Sequence, residues 1–395
     1  MASICLRQGR VVSVDETLDD LTVVTVSLAV PVESGETRID SLKACVYKGI
    51  TPTPTPGDLV VVNTLGVELG LGTGGYGFVL INLSKRLPDL SQDVHSGHIV
   101  KLRYTPLQTC VLSVEEELSP YHSKLRDERL SLEGKPVVCA ELHSALPAIV
   151  AGVKAYDPSL SICYVMTDGG ALPLAFSKTV RKLKSMSLLQ STVTVGHAFG
   201  GDLEAVNVFS GLISARHIAN ADVIVVAKGP GIVGTGTPLG HTGMEQGEAA
   251  NAAFRLNGVP ILIPRLSEAD DRERHSGISH HFVSVLRYCV YCPTIIPVAS
   301  ETPHVYAELE DCLASLQASQ QHRLVKAASG PGLDLASRRG IELSTMGRSV
   351  SQEPAFFAQA AAGGWFAGRV ARLGLDRSAL LGACWASPEH LGDSG

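Results

Sequence analysis

Residues 221–256 read ADVIVVAKGPGIVGTGTPLGHTGMEQGEAANAAFRL, and this stretch decides the fold. The β-branched run 223–226 has the character of a buried strand, the glycines that follow make a loop, and a helix is expected from Thr242. Strand, loop and helix in that order build one unit of a parallel sheet. Gly229, Gly231, Gly234, Gly236, Gly240 and Gly243 crowd the loop, and glycine at this density costs entropy on ordering. Positive φ, close approach to a ligand, or mobility would justify that cost, and the loop is read as a binding loop.

Working outward, the same alternation covers the second half of the chain. Apolar runs at 137–142, 162–166, 192–195, 259–263, 295–298 and 323–327 read as strands, with helices at 145–156, 175–185, 208–218, 242–256, 280–289, 303–317 and 354–370. Residues 196–208 are ambiguous and compatible with a hairpin. The predicted class is α/β, a mostly parallel, Rossmann-like sheet flanked by helices. The first 95 residues differ, with short β-branched runs at 21–30, 44–47, 58–63 and 77–83 and a stiff TPTPTPG connector at 51–57. They predict a smaller all-β barrel or sandwich. The expected division is 1–95 for the barrel, 96–373 for the α/β domain, and 374–395 for a poorly ordered tail.

Composition narrows the function. The 395 residues are 45% hydrophobic and 18% charged, and the net charge of −6 offers nothing to attract a phosphate backbone or an anionic lipid surface. Neither nucleic acid nor membrane is an expected partner. No apolar run approaches the roughly 18 residues of a membrane span, and the first residues lack a signal-peptide core, so a cytoplasmic location is expected. Nine cysteines without framework spacing, apart from Cys289 and Cys292, fit reduced thiols.

In a parallel sheet ligands collect beyond the carboxyl ends of the strands. Those positions hold His143 and Ser144, Thr167 and Asp168, His197 and Asp202, Lys228 and His241, then Arg265, Glu268, Asp270, Asp271 and Arg272, and finally Ser329. Asp168, His241, His143, His197 and Asp202 are the candidate catalytic residues. Lys228, Gly229, Gly231, Gly234, Thr235, Gly236, Thr237 and Thr242 are the candidate ligand-binding residues. The segment GPGIVG lacks the acidic residue of a dinucleotide site, and no GK[ST] ending makes a P-loop. Thr242 and Glu245 spell a capping box, which competes with an anion for the same amides. The cofactor is left unassigned.

His143, His197, His241, His280 and His281 with Glu141, Asp168 or Asp202 have the chemistry of a divalent metal site, but no fixed motif selects a ligand set. His280 and His281 point about 100° apart on a helix, which argues against both facing one ion. Phe356, Phe357, Trp365 and Phe366 give the last helix an aromatic face that suits a homodimer surface if it is not core.

The segments TDGGALP (167–173), GHAFGGDLEAVNV (196–208), KGPGIVGTGTPLGHTGMEQGEAANAA (228–253) and STMGR (344–348) together resemble a bacterial family, domain of unknown function 3866. The resemblance implies a bacterial origin and brings no assigned activity or catalytic residues. The leading expectation is an α/β protein, possible enzyme or not, that binds a small anionic or phosphorylated molecule at the edge of the sheet. The alternatives are a metal-dependent hydrolase using a His/Asp cluster and a non-catalytic binding or assembly protein.

Overall fold

The computed structural model describes residues 4–31, 37–71, 74–86 and 97–381. Contacts divide the chain into a unit of residues 1–95 with 104–108 and a larger unit of 96–103 with 109–395.

The first unit is a closed barrel of β1 (Leu6–Thr17), β2 (Leu21–Pro31), β3 (Thr37–Tyr47), β4 (Leu59–Asn63) and β5 (Gly77–Asn82). The strand order is β1-β2-β3-β5-β4, with β1 closing antiparallel on β4 and β3 running parallel to β5. Val11, Val24, Val26, Val60, Val62 and Val79 fill the interior. The strand β1 is absent from the sequence expectation because polar residues interrupt it; only Gly9 and Val11 turn fully inward.

The second unit is an eight-stranded sheet. Its strands are β6 (Pro136–Ala140), β7 (Ile162–Thr167), β8 (Ser191–Thr194), β9 (Leu203–Glu204), β10 (Val223–Lys228), β11 (Val259–Ile263), β12 (Thr294–Ala299) and β13 (His322–Ala327). They lie in the order β9-β8-β7-β10-β6-β11-β12-β13, and every pairing is parallel. Every residue of β6, β7, β10, β11 and β12 is buried, as expected for strands covered on both faces.

On one face lie α1 (Leu146–Tyr156), α2 (Lys178–Ser185), α7 (Gly330–Arg338) and α8 (Pro354–Leu373). The other carries α3 (Val208–His217), α4 (Glu245–Arg255), α5 (His280–Tyr288) and α6 (Pro303–Ser315). Two of these elements depart from the sequence reading. Residues 196–208 form no hairpin: they supply β9, which adds in parallel to β8. The segment GPG at 330–332 opens α7, with Pro331 in the first turn and Glu301 accepting the Ser329 and Gly330 amides from another loop.

The aromatic helix α8 is core. Phe356, Phe357 and Phe366 are buried against α1 and the sheet, and Trp365 meets Tyr156 edge-on at 5.0 Å between centroids. Those aromatics therefore stabilise the chain itself and are not the dimer surface their composition also allowed. Beyond α8, Arg377 is buried and donates to the Gly258 and Phe254 carbonyls, which ties the start of the expected tail to the domain. Residues 382–395 of that tail lie outside the described residues.

Candidate functional site

The connection leaving β6 leads to β7, past β10, while the connection leaving β10 leads to β11, past β6. These neighbouring strands send their chains in opposite directions, which opens a crevice at their carboxyl ends. Glu141 follows β6, Lys228 ends β10 and Arg265 lies beyond β11. Arg265 donates to Glu141 Oε1 at 2.8 Å, and Lys228 donates to the Glu141 carbonyl. Burial alone would raise the Glu141 carboxyl, but the hydrogen bond from His281 and the charges of Arg265 and Lys228 hold it at about 2. Burial also brings Lys228 down to about 8.

Four imidazoles gather over this carboxylate. His241 and His281 stack with centroids 3.8 Å apart and rings 4° from parallel. His280 is 4.4 Å from His281, and His275 is 4.9 Å from each of the two. Burial lowers His241 to about 4 and His275 to about 3, and pushes His280 below its ordinary value. Neutral imidazole is the form that binds metal.

Hydrogen bonds assign the free lone pairs. His281 Nδ1 lies 2.7 Å from Glu141 Oε1 and 2.8 Å from Arg265 Nη1; the tautomer that serves the carboxylate carries its proton on Nδ1 and leaves Nε2 open. His241 Nε2 donates to the Pro238 carbonyl at 3.2 Å, which leaves Nδ1 open. His241 Nδ1, His280 Nε2, His281 Nε2 and Glu141 Oε2 are all buried and unpartnered. Ligand atoms of His275, His280 and His281 lie within 4.8 Å of one another, as do those of Glu141, His241 and His281. A tetrahedral zinc spaces its ligands at roughly 3.4 Å; a modest contraction brings His275, His280 and His281 to that spacing, whereas the stacked His241 and His281 rings must rotate before both can face one ion.

Local structure explains the gathering. The ribbon of Leu266–Ser267 and Gly277–Ile278 carries the 3₁₀ turn Glu273–His275 to the start of α5. Ser279 caps that helix through the His281 amide and also bonds His275 Nδ1 at 2.8 Å. Side chains in a first helical turn lean back toward its N-terminus. His280 and His281 therefore share the nest, and the expectation that adjacent helical positions would separate them is overturned.

The glycine loop wraps the same nest. A Cβ on Gly234 would stand 3.0 Å from His281 Cε1, and one on Gly243 would stand 2.8 Å from His241 Nδ1 and 2.9 Å from Glu141 Cδ. Close approach is the reason for these two glycines, but the approaching groups are the chain's own rather than a ligand. Gly231 and Gly236 have φ of 97° and 79°, which favours glycine. Thr235 donates its amide to Gly240 O at 2.9 Å, and Thr237 Oγ1 accepts the Gly240 amide at 3.1 Å, so the loop satisfies much of its own backbone. Gly229 lies against the backbone of Ala171. The capping box is not formed: Thr242 accepts from the Val233 amide, Glu245 accepts from the Thr167 hydroxyl, and a 3₁₀ turn precedes α4.

Of the five candidate catalytic residues, His241 alone enters the nest. His143 is buried between the Tyr164 hydroxyl at 3.0 Å and Ser177 Oγ at 2.7 Å. Asp168 accepts the His197 amide, and His197 Nδ1 accepts the Leu102 amide. Asp202 ties Thr192 to Lys184. Lys228 points at Glu141 rather than along the glycine loop. Sequence reasoning missed His275 altogether. Its spacing to the His280–His281 pair, in a short loop after a strand, was the available signal.

Two buried histidines outside the nest predict an acid response. Burial lowers His143 and His322 from an ordinary 6.5 to about 4 each. Between those values the unfolded chain binds protons that the folded one does not, so stability is full above about pH 6.5 and falls as pH drops toward 4, by about 3 kcal/mol per histidine. Urea midpoints at about pH 7.5 and 4.5 measure the slope, and His143→Asn should flatten it.

A protein-family model described as "Protein of unknown function (DUF3866)" matches residues 43–364. The chain belongs to that family. No curated protein matches it.

Proposed function

We propose that this member of the family is a metal-dependent hydrolase whose divalent cation, zinc or one of similar ligand preference, occupies the histidine nest. One observation carries the reading: His241 Nδ1, His280 Nε2, His281 Nε2 and Glu141 Oε2 are buried without partners at one crevice of the sheet. Each such group left unsatisfied costs about 1–3 kcal/mol, and a cation would satisfy several at once. Imidazole and carboxylate donors suit zinc, manganese or iron.

His281 is the common ligand, and Glu141 orients it through Nδ1 as carboxylates do behind many metal-bound histidines. Arg265 and Lys228 add positive charge beside the nest, which favours an anionic further ligand such as hydroxide or a substrate oxygen. A cation with an open position lowers the pKa of bound water and supplies a nucleophile at neutral pH. The crevice position also fits the small-molecule site expected at this edge, with the nest in place of the glycine loop as its centre.

Metal loading tests the reading. The protein as purified, or after dialysis against zinc, manganese or ferrous ion, should hold close to one equivalent by elemental analysis. Zinc at about a thousandfold over its Kd adds about 4 kcal/mol of stability, a rise in Tm on the order of 10 °C that a chelator reverses. Retention of none of the three metals, with no shift in Tm, ends the proposal.

A further inference from the structure

The nest opens at His280 onto a pocket of about 370 Å³. Arg274 and Arg287 stand on its wall, Ile278, Val283 and Tyr288 give it an apolar surface, and Pro238 brings in the glycine loop. The volume suits a small ligand.

Neither arginine is held by a carboxylate, a freedom they share with Arg126 and Arg255 among the described residues, but these two stand on one pocket wall. Arg7, Arg129, Arg216, Arg272 and Arg348 each pair with a carboxylate at 3.1 Å or less. Among the described residues, Arg274 and Arg287 make no such pair. Arg287 lies 5.9 Å from the centroid of Tyr288, and Arg274 lies against Gly236, where a Cβ would stand 3.6 Å from its Cζ. Glu273 shares the pocket and supplies the one opposing charge on its wall. Two unpaired guanidinium groups against one carboxylate leave a net positive wall facing an apolar patch. Guanidinium forks are the groups that bind carboxylate and phosphate best.

We infer that this pocket takes the substrate, a small molecule with a compact oxyanion, phosphate or carboxylate, on a short apolar stem. Arg274 and Arg287 hold the oxyanion, Ile278, Val283 and Tyr288 cover the stem, and the other end of the molecule reaches His280. The direction of the reacting end rests on the metal reading above; the anion site does not.

Calorimetric titration with phenyl phosphate, benzoate and phenol tests it, on chelator-treated and on zinc-treated protein. Phenyl phosphate or benzoate should bind in both states, and phenol at least tenfold more weakly. Arg274→Ala and Arg287→Ala should each weaken the oxyanion about tenfold, with zinc content unchanged, while Glu273→Gln should tighten it. The tighter of the two oxyanions names the substrate class. Undiminished binding in the double arginine variant overturns the inference, as does phenol binding as well as benzoate, or no oxyanion binding to chelator-treated protein. Zinc uptake without arginine-dependent binding sinks this pocket alone. Arginine-dependent binding in a protein that takes up no metal sinks the hydrolase reading alone.

Discussion

His281→Ala should empty the metal site while leaving the fold in place. His281 belongs to both sets of converging ligands, so no alternative set survives its loss. Removing a group that only orients a metal-bound histidine costs 10–100-fold in affinity, and removing the histidine itself should cost more than about 100-fold. After dialysis, zinc should fall from near one equivalent to near none. Glu141→Gln should show the smaller loss, because the neutral amide no longer pulls the proton onto His281 Nδ1. His143→Ala should leave zinc content untouched, since His143 bonds Tyr164 and Ser177 instead. Circular dichroism keeps a folding defect apart from a binding defect. Wild-type zinc content in His281→Ala would falsify the assignment of the nest.

Gly364→Val should destabilise the α/β unit strongly. Here α8 crosses α1 at backbone distance: a Cβ on Gly364 would run into the Ile149 carbonyl oxygen and stand 2.8 Å from its carbon. From the other side, a Cβ on Gly152 would meet the Ala361 carbonyl and come within 2.8 Å of the Trp365 amide. Gly332 of α7 completes the contact, its Cβ position 2.9 Å from Gly152 Cα. Main-chain atoms cannot rotate away as a side chain can, so the helices must separate and open the core around Phe357 and Ile149. Overpacking of this kind costs about 3 kcal/mol or more, and a fall in Tm of roughly 10 °C follows. Gly330→Ala, whose Cβ would meet Glu301 Oε1 at an ordinary 3.5 Å, should shift the transition little. A Gly364→Val protein with wild-type Tm would show that the crossing has slack.

Gly363 and Gly364 illustrate what the sequence conceals. Read along the helix they only weaken it, yet their purpose lies across it, where Ile263 and Ile149 approach. The sheet was legible because strands buried on both faces must be apolar from end to end, as 223–226 and 259–263 are. Helix α7 was not, because its cap comes from Glu301, distant in sequence. The candidate site was legible only as an edge. Glu141, His241, His275, His280 and His281 lie on three separate segments, and nothing local says that Glu141 rather than Asp168 or Asp202 turns toward the imidazoles. The glycines of the central loop announced a close approach, but not that its object was histidine.

The place of β10 in the sheet carries a consequence for biogenesis. β6 and β7 leave the ribosome one after the other, yet they never pair with each other; β10, more than fifty residues later, is the strand that lies between them. A nascent chain therefore cannot zip its sheet in order of synthesis and must hold a slot open, or rebuild an early pairing, until β10 arrives. The same insertion brings Lys228 under Glu141, and α5 follows later still. The nest thus cannot exist until β10 has been inserted and α5 made, and its capture of a cation would mark a chain whose central strands have found their order.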